Sequence, residues 1–404
     1  MNTLSPFFLV IVYLIAYLTA YAVNFKYKIN AASIRYEGID SLRGFLALGV
    51  FIHHSVIWYQ YIQTGKWDAP KSNLYTQLGQ TSVSFFFMIT SFLFITKLLN
   101  STEKEFNWRA FFISRIFRLV PLYYFLLVLL VLYVMTNTHW QLTVSILSFL
   151  KSMFYWGIFS TADINNYNLT SFIISHATWT LPLEWLFYFS LPLISLIIFK
   201  KKTSLFYIVI SILFICGYFS VNAFRYHNLL PFIGGAVAPF ILKYGSRDIK
   251  VNNLFLGIIV LVCLFLITQI KTSNYIVCET LISIVFTSIA LGNNLFGILK
   301  NSTLKFLGEI CYSTYLLHGI VLFTVLYFGF GFEKVKYFTE TEYCVLIFLT
   351  TPIIVIISFL GYKFIEKPFM DKAKKINDVI DSKYPLKTSN NESFVKFFGR
   401  IMKF

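Results

Sequence analysis

Residues 111–135 read FFISRIFRLVPLYYFLLVLLVLYVM, and after Arg118 the next charged side chain is Lys151. A helix needs about 20 apolar residues to cross the roughly 30 Å hydrocarbon core of a bilayer. This stretch supplies them, with two arginines at one end, so its solvent is lipid. Similar runs occupy 4–25, 43–62, 80–99, 179–199, 204–221, 229–244, 254–270, 277–292, 310–331 and 343–365. The chain therefore reads as all-α: a polytopic transmembrane helical bundle of about eleven spans. The first run is too long for a signal-peptide core and lacks a basic leader, so it reads as a span.

Composition agrees. Of the 404 residues, 57% are hydrophobic and 13% charged, with a mean hydropathy of +0.69. Soluble domains carry about 25% charged residues, and a water-facing surface cannot be built from so few. The net charge of +16 does not point to nucleic acid, because the lysines and arginines sit between apolar runs and form no stripe. They follow instead the positive-inside pattern. The clusters are Lys26, Lys28, Arg35 and Arg43; Lys97, Lys104, Arg109, Arg115 and Arg118; Lys200, Lys201 and Lys202; Lys243, Arg247 and Lys250; Lys300 and Lys305; and Lys363, Lys367, Lys372, Lys374 and Lys375. All fall on one side if the apolar piece 143–159, which holds Lys151, is re-entrant or peripheral. The N-terminus is then outside and the C-terminus cytoplasmic. The tail after Asp371 is polar and suits the anionic inner leaflet. The five cysteines lie in or beside apolar runs without metal-ligand spacing, and read as free thiols packed between helices, with no metal.

Ionisable groups inside spans are costly and become functional candidates. Here they are His53, His54, Glu184, Glu279 and His318, with Arg43, Arg115 and Arg118 near the cytoplasmic ends. Ten residues separate Arg43 from His54, which on a helix places the imidazole about 16 Å from the guanidinium's level, near mid-membrane. Two readings of His54 stand: a general base near neutral pH, or a structural hydrogen bond to a neighbouring helix. His53 points elsewhere around the helix and reads as supportive. Arg115 and Arg118, three apart, share a helix face. They suit a phosphate ligand or simple anchoring at the interface. Glu184 is expected near the outer end of its span, where it would bind an acceptor, orient a histidine or pair with an arginine. His318 is expected at the depth of His54. Glu279 carries no supporting pattern, and Glu309 reads as a helix cap. His139, His176 and His227 fall in expected outer loops.

In order along the chain, these segments resemble the membrane-bound acyltransferase-3 family of acyl-CoA-dependent O-acyltransferases. Arg43 and His54 match its Arg, ten residues, His signature, with Asp40 in register. Its aromatic segment resembles Ser84 to Leu93. Its basic segment is similar to Arg115, Arg118, Pro121, Leu122 and Tyr123. Trp179, Thr180, Leu181 and Glu184 match another, as do Tyr312, Tyr315, Leu316 and His318, and finally Glu366, Lys367 and Pro368. Thr90-Ser91 replaces the usual Ser-Gly, and Cys311 stands where serine is usual. The resemblance implies an extra N-terminal helix (1–30), an acyltransferase core (31–370) and a cytoplasmic polar tail (371–404).

What the resemblance implies chemically is transfer of an acyl group, acetyl first of all, from acyl-CoA to a hydroxyl of a surface polysaccharide or lipid-linked glycan. The setting would be a bacterial cytoplasmic membrane. His54 would be the base, with Glu184 and His318 orienting the acceptor or tuning the imidazole, and Arg43, Arg115 and Arg118 would hold acetyl-CoA or another acyl-CoA. Two other classes remain open on the residues alone. A transporter of a lipid-linked or small polar substrate would move it without acyl-CoA, on broken helices. A sensor or scaffold would tolerate loss of the buried histidines.

Overall fold

The computed structural model describes residues 2–27, 36–101, 106–199, 203–222, 225–245, 253–271 and 273–383. Lys28, Arg35, Lys104, Lys200, Lys201, Lys202, Arg247, Lys250 and the tail beyond 383 lie outside the described residues.

In chain order the helices are α1 (Pro6–Tyr27), α2 (Glu37–Thr64), α3 (Asn73–Asn100), α4 (Trp108–Asn137), α5 (Ile146–Gly157), α6 (Thr170–Ile173), α7 (Thr180–Ile197) and α8 (Leu205–Val221). There follow α9 (Leu230–Tyr244), α10 (Asn253–Gln269), α11 (Tyr275–Ala290), α12 (Ser302–Glu309), α13 (Cys311–Phe323), α14 (Phe332–Lys336), α15 (Glu340–Gly361) and α16 (Lys367–Lys383). Every apolar run read as a span is helical. Length divides them, and the expected count of eleven gives way to a coarser one. Among the described residues, seven helical stretches are long and apolar enough to cross a membrane, whereas α8, α10 and α11 are shorter apolar helices. The 15 residues of α9 rise about 22 Å, less than the hydrocarbon thickness. The 12 residues of α5 rise only about 18 Å, so 143–159 holds no helix able to span.

Two helices continue through π turns. Thr324–Phe330 prolongs α13, and Tyr362–Glu366 joins α15 to α16. The chain therefore does not break near residue 370, where the polar tail was expected to begin. Instead α16 packs beside the start of α4: Arg109 pairs with Asp381, and the Asn377 amide donates to the Ala110 carbonyl at 3.4 Å.

The feature that positions everything else lies between α5 and α7. The stretch between 159 and 179, which holds His176, was expected as an outer loop, but its second half turns inward. Ile173, Ile174 and Ser175 are fully buried. Backbone that is neither helix nor sheet is tolerated at such depth only when protein satisfies its polar groups. Here the Ser175, His176 and Ala177 amides donate to the Phe172, Ser171 and Ile174 carbonyls, and the Tyr315 hydroxyl donates to the Ala177 carbonyl at 2.7 Å; the Trp58 indole holds the Ser175 side chain, donating to its hydroxyl at 3.0 Å. Ser175 and His176 both take left-handed backbone angles, at φ 50° and 55°. The inward turn fits because α13 carries Gly319 where it meets this segment. A Cβ at that position would run into the backbone of Ile174. Gly319→Leu should cost about 1–3 kcal/mol of stability by overpacking. The check is the thermal unfolding midpoint of purified protein in detergent, with Gly319→Ala giving a smaller drop.

Candidate active site

Three helices deliver the arginines and Glu184 to one place, and a fourth adds two tyrosines. A cavity of about 270 Å³ is lined by Arg43 from α2, Arg115 and Arg118 from α4, Glu184 and Tyr188 from α7, and Tyr312 and Tyr315 from α13. Phenylalanines and aliphatic residues, mainly of α3, form the rest of its wall. Each guanidinium has a local restraint. Arg43 faces Asp40 at 3.8 Å, one turn back on α2. Arg115 lies over the Phe94 ring, 5.0 Å from its centroid. Arg118 reaches Glu366 at 4.0 Å and the Met370 thioether at 3.1 Å.

Glu366 is the residue whose role sequence reading missed. It was matched as part of a short motif and given no function. Its side chain is buried, accepts a hydrogen bond from the Ser313 hydroxyl, and leaves Oε2 without a hydrogen bond among the described residues. The π turn at Tyr362–Glu366 makes this contact. Such turns insert one residue into a helix and often mark functional sites. Glu309 acts beside it: placed at the end of α12, it accepts from the Tyr362 hydroxyl at 3.1 Å and so ties down the π turn. It does not cap the start of α13, as its position in the sequence had suggested.

Further along α2 and α13 sit the histidines. His318 is fully buried. Its Nε2 is 3.0 Å from Nδ1 of His54, and the two rings stack with centroids 4.9 Å apart. His318 Nδ1 lies 2.5 Å from the Tyr315 carbonyl, and His54 Nδ1 lies 3.1 Å from the Val50 carbonyl. A carbonyl only accepts, so each of these Nδ1 atoms carries a proton. Neutral His318 then has its lone pair on Nε2, and the single His54 Nδ1–H is shared between that lone pair and the Val50 carbonyl. This chain of hydrogen bonds leaves the lone pair of His54 on Nε2, free to take a proton. His53 is held separately, by the Tyr75 carbonyl at 2.8 Å, in space left by Gly79.

Tyr315 joins the two halves. It lines the arginine cavity, its carbonyl orients His318, and its hydroxyl meets Thr180 at 2.9 Å. Glu184, expected near the outer end of its span, is the fifth residue of α7, which starts at Thr180 against the Tyr315 hydroxyl. Its carboxylate enters the arginine cavity, where it accepts from the Tyr188 hydroxyl. It does not touch either imidazole through any hydrogen bond among the described residues. His176, in the loop between α6 and α7, packs on Trp67 and Phe172. Glu279 accepts from the Ser84 hydroxyl at 2.5 Å, away from both groups. Among the described residues, no three His, Cys, Asp or Glu side chains are placed to hold a metal ion.

The model of the acyltransferase-3 family, described as an acyltransferase domain, matches residues 36–362. The chain belongs to the acyltransferase-3 family. Relatives in Staphylococcus aureus strains COL, MSSA476 and MRSA252, each named "Putative O-acetyltransferase", are 26% identical over 396 residues. The match covers 87% of this chain and 59% of each relative, so the chain spans well under two thirds of their length. No solved structure matches it. The family match includes Arg43, His54, Arg115, Arg118, Glu184 and His318 and stops four residues short of Glu366.

The Arg118–Glu366 contact predicts a stability effect independent of any substrate. Removing one partner of a buried pair strands the other charge, at about 3 kcal/mol or more. Glu366→Leu should therefore lower the unfolding midpoint clearly. The double variant Glu366→Leu with Arg118→Met should recover much of the loss, as a double-mutant cycle of melting curves would show.

Proposed function

We propose that this protein transfers an acyl group, acetyl first of all, from acyl-CoA to a hydroxyl of a surface polysaccharide or lipid-linked glycan. The observation that carries the reading is the His54–His318–Tyr315 chain, which leaves the Nε2 lone pair of His54 open and ends on Tyr315, a residue that also lines the cavity of the three guanidiniums. Family membership and the names of the relatives support the same class of chemistry. An arginine-rich cavity with apolar walls suits a donor that has phosphates at one end and a thin acyl-bearing arm.

In this reading Arg43, Arg115 and Arg118 bind the donor's phosphates as charge-assisted hydrogen-bond donors. Glu184 and Glu366 hold the guanidiniums apart and in place. The acceptor hydroxyl gives its proton to His54 Nε2 as its oxygen attacks the thioester carbonyl. The C–O bond forms, the C–S bond breaks, and the thiolate recovers the proton from His54. While His54 is protonated, His318 stabilises the charge through the Nδ1–H hydrogen bond, much as an orienting partner does in other acid–base pairs. Fixing both reactants in one place supplies a further part of the rate. The setting proposed is a bacterial cytoplasmic membrane, with the arginine cavity and α16 toward the cytoplasm in keeping with the positive-inside rule.

Membranes carrying the protein, given radiolabelled acetyl-CoA, should label cell-surface glycan. His54→Ala at equal expression should lower transfer by roughly 10²-fold or more, and unchanged labelling would remove His54 as the base. His318→Gln keeps an acceptor for His54 Nδ1–H and should retain more activity than His318→Leu. Arg118→Ala should act mainly on the donor, raising its KM by roughly tenfold with a smaller change in kcat. Label in none of these, wild type included, would turn attention to substrate transport.

A further inference from the structure

Beyond His54 on α2, away from Arg43, the structure builds a second kind of surface. Arg43, His54 and Tyr61 follow one another along the same helix, and Gly65 then ends it and turns the chain to Trp67. The Trp67 ring lies 6.4 Å from the His54 imidazole, centroid to centroid, at an interplanar angle of 26°. Around it stand Tyr61 at 5.7 Å, Phe172 at 5.1 Å and His176 at 5.5 Å. All four of these residues, and His54 itself, are only partly buried. Trp58 beneath them is fully covered.

The chemistry of the cluster is distinct from that of the arginine cavity. Its faces are apolar rings, its polar tips are the Trp67 indole N–H, the Tyr61 hydroxyl and the His176 imidazole, and it contributes no formal charge. The His176 ring has no side-chain hydrogen bond among the described residues, although its backbone is held in the left-handed region at φ 55°. A residue kept in that conformation needs the surrounding structure to hold it there, and such residues gather at functional sites. Here the holding is done by the same inward turn that Gly319 admits.

We propose that Trp67, with Tyr61, Phe172 and His176, forms the acceptor subsite, and that it binds a pyranose ring of a neutral glycan. The C–H face of a pyranose lies on an aromatic ring, and its equatorial hydroxyls need donors and acceptors at the rim. An amphipathic cluster of this kind offers both. A lipid chain would need the apolar faces but not the three polar tips, and an anionic ligand would need positive charge, which the cluster lacks. Trp67 adjoins His54, so a hydroxyl of a sugar lying on Trp67 comes to the imidazole that takes its proton. This rests on the acyl-transfer reading above, and deepens it by naming where the acceptor lies and what it is.

The test measures acetyl transfer from radiolabelled acetyl-CoA by the full chain in detergent, to two probes: chitotriose as a neutral oligosaccharide and dodecanol as a lipid-like alcohol. Wild type is compared with Trp67→Leu, Trp67→Phe and His176→Ala. Chitotriose should be labelled, and Trp67→Leu should raise its KM by roughly five- to tenfold, the weight of one aromatic contact. Trp67→Phe, which keeps a ring and the fold, should fall between, and the donor KM should stay within twofold in all variants. Chitotriose labelled with an unchanged KM in Trp67→Leu and His176→Ala would overturn the subsite and leave acyl transfer standing. Dodecanol labelled in place of chitotriose would overturn the glycan assignment in the same way. Transfer to neither probe, in membranes that do label their own surface glycan, would overturn a neutral pyranose as the ligand. Absence of label from every acceptor would instead bring down the acyl-transfer reading on which the subsite rests.

Discussion

Everything at the centre of this molecule depends on a stretch of irregular backbone being buried in an apolar bundle. Lipid offers no hydrogen bonds, so non-helical peptide groups survive at depth only where protein partners meet them. Residues 174–177 find those partners in the Tyr315 hydroxyl and in the carbonyls of Ser171 and Phe172, while Trp58 holds the Ser175 side chain. The same Tyr315 then sets His318 with its carbonyl and lines the arginine cavity with its ring. One tyrosine therefore answers a structural demand and a chemical one together. The inward turn it stabilises also fixes the placing of His176.

The fold class was legible because lipid imposes a coarse rule: long apolar runs, charges between them. That rule reads helix presence well and crossing poorly. The 15 residues of α9, interrupted by Pro239, look as apolar as a span yet are too short to be counted as one by length. It also assumes that whatever lies between spans stays near water. The segment 158–179 breaks this assumption, and no hydropathy pattern announces it, since Ile173, Ile174 and Ala177 would be equally at home in an interfacial loop. The signal that could have found it is indirect: a glycine at 319, in the middle of an otherwise bulky helix, marking where another backbone comes close.

The candidate site was legible in pieces. Arg43, His54, Arg115 and Arg118 could be placed by counting along single helices, because α2 and α4 are regular where these residues sit. Counting along α13 suggested a depth for His318 like that of His54, but neither their hydrogen bond nor its direction followed from depth. Only the carbonyls of Val50 and Tyr315 decide which nitrogen bears a proton. Glu366 was invisible for a different reason. On an unbroken α-helix its orientation would be set by α15, and the π turn changes the phase.

That phase change has a consequence for how the sequence can vary. A helix turns about 100° per residue, so the extra residue in Tyr362–Glu366 acts as an angular offset for all of α16. Losing one residue there would swing Glu366 and Met370 off Arg118 and carry Asp381 away from Arg109, though each of those side chains would be untouched. A substitution within the π turn acts at the contacts of its own side chain, as at Glu366. A change in its length acts on all of α16 at once, and the chain from Lys363 to Lys383 behaves in this respect as a single dial whose zero is set by one inserted residue.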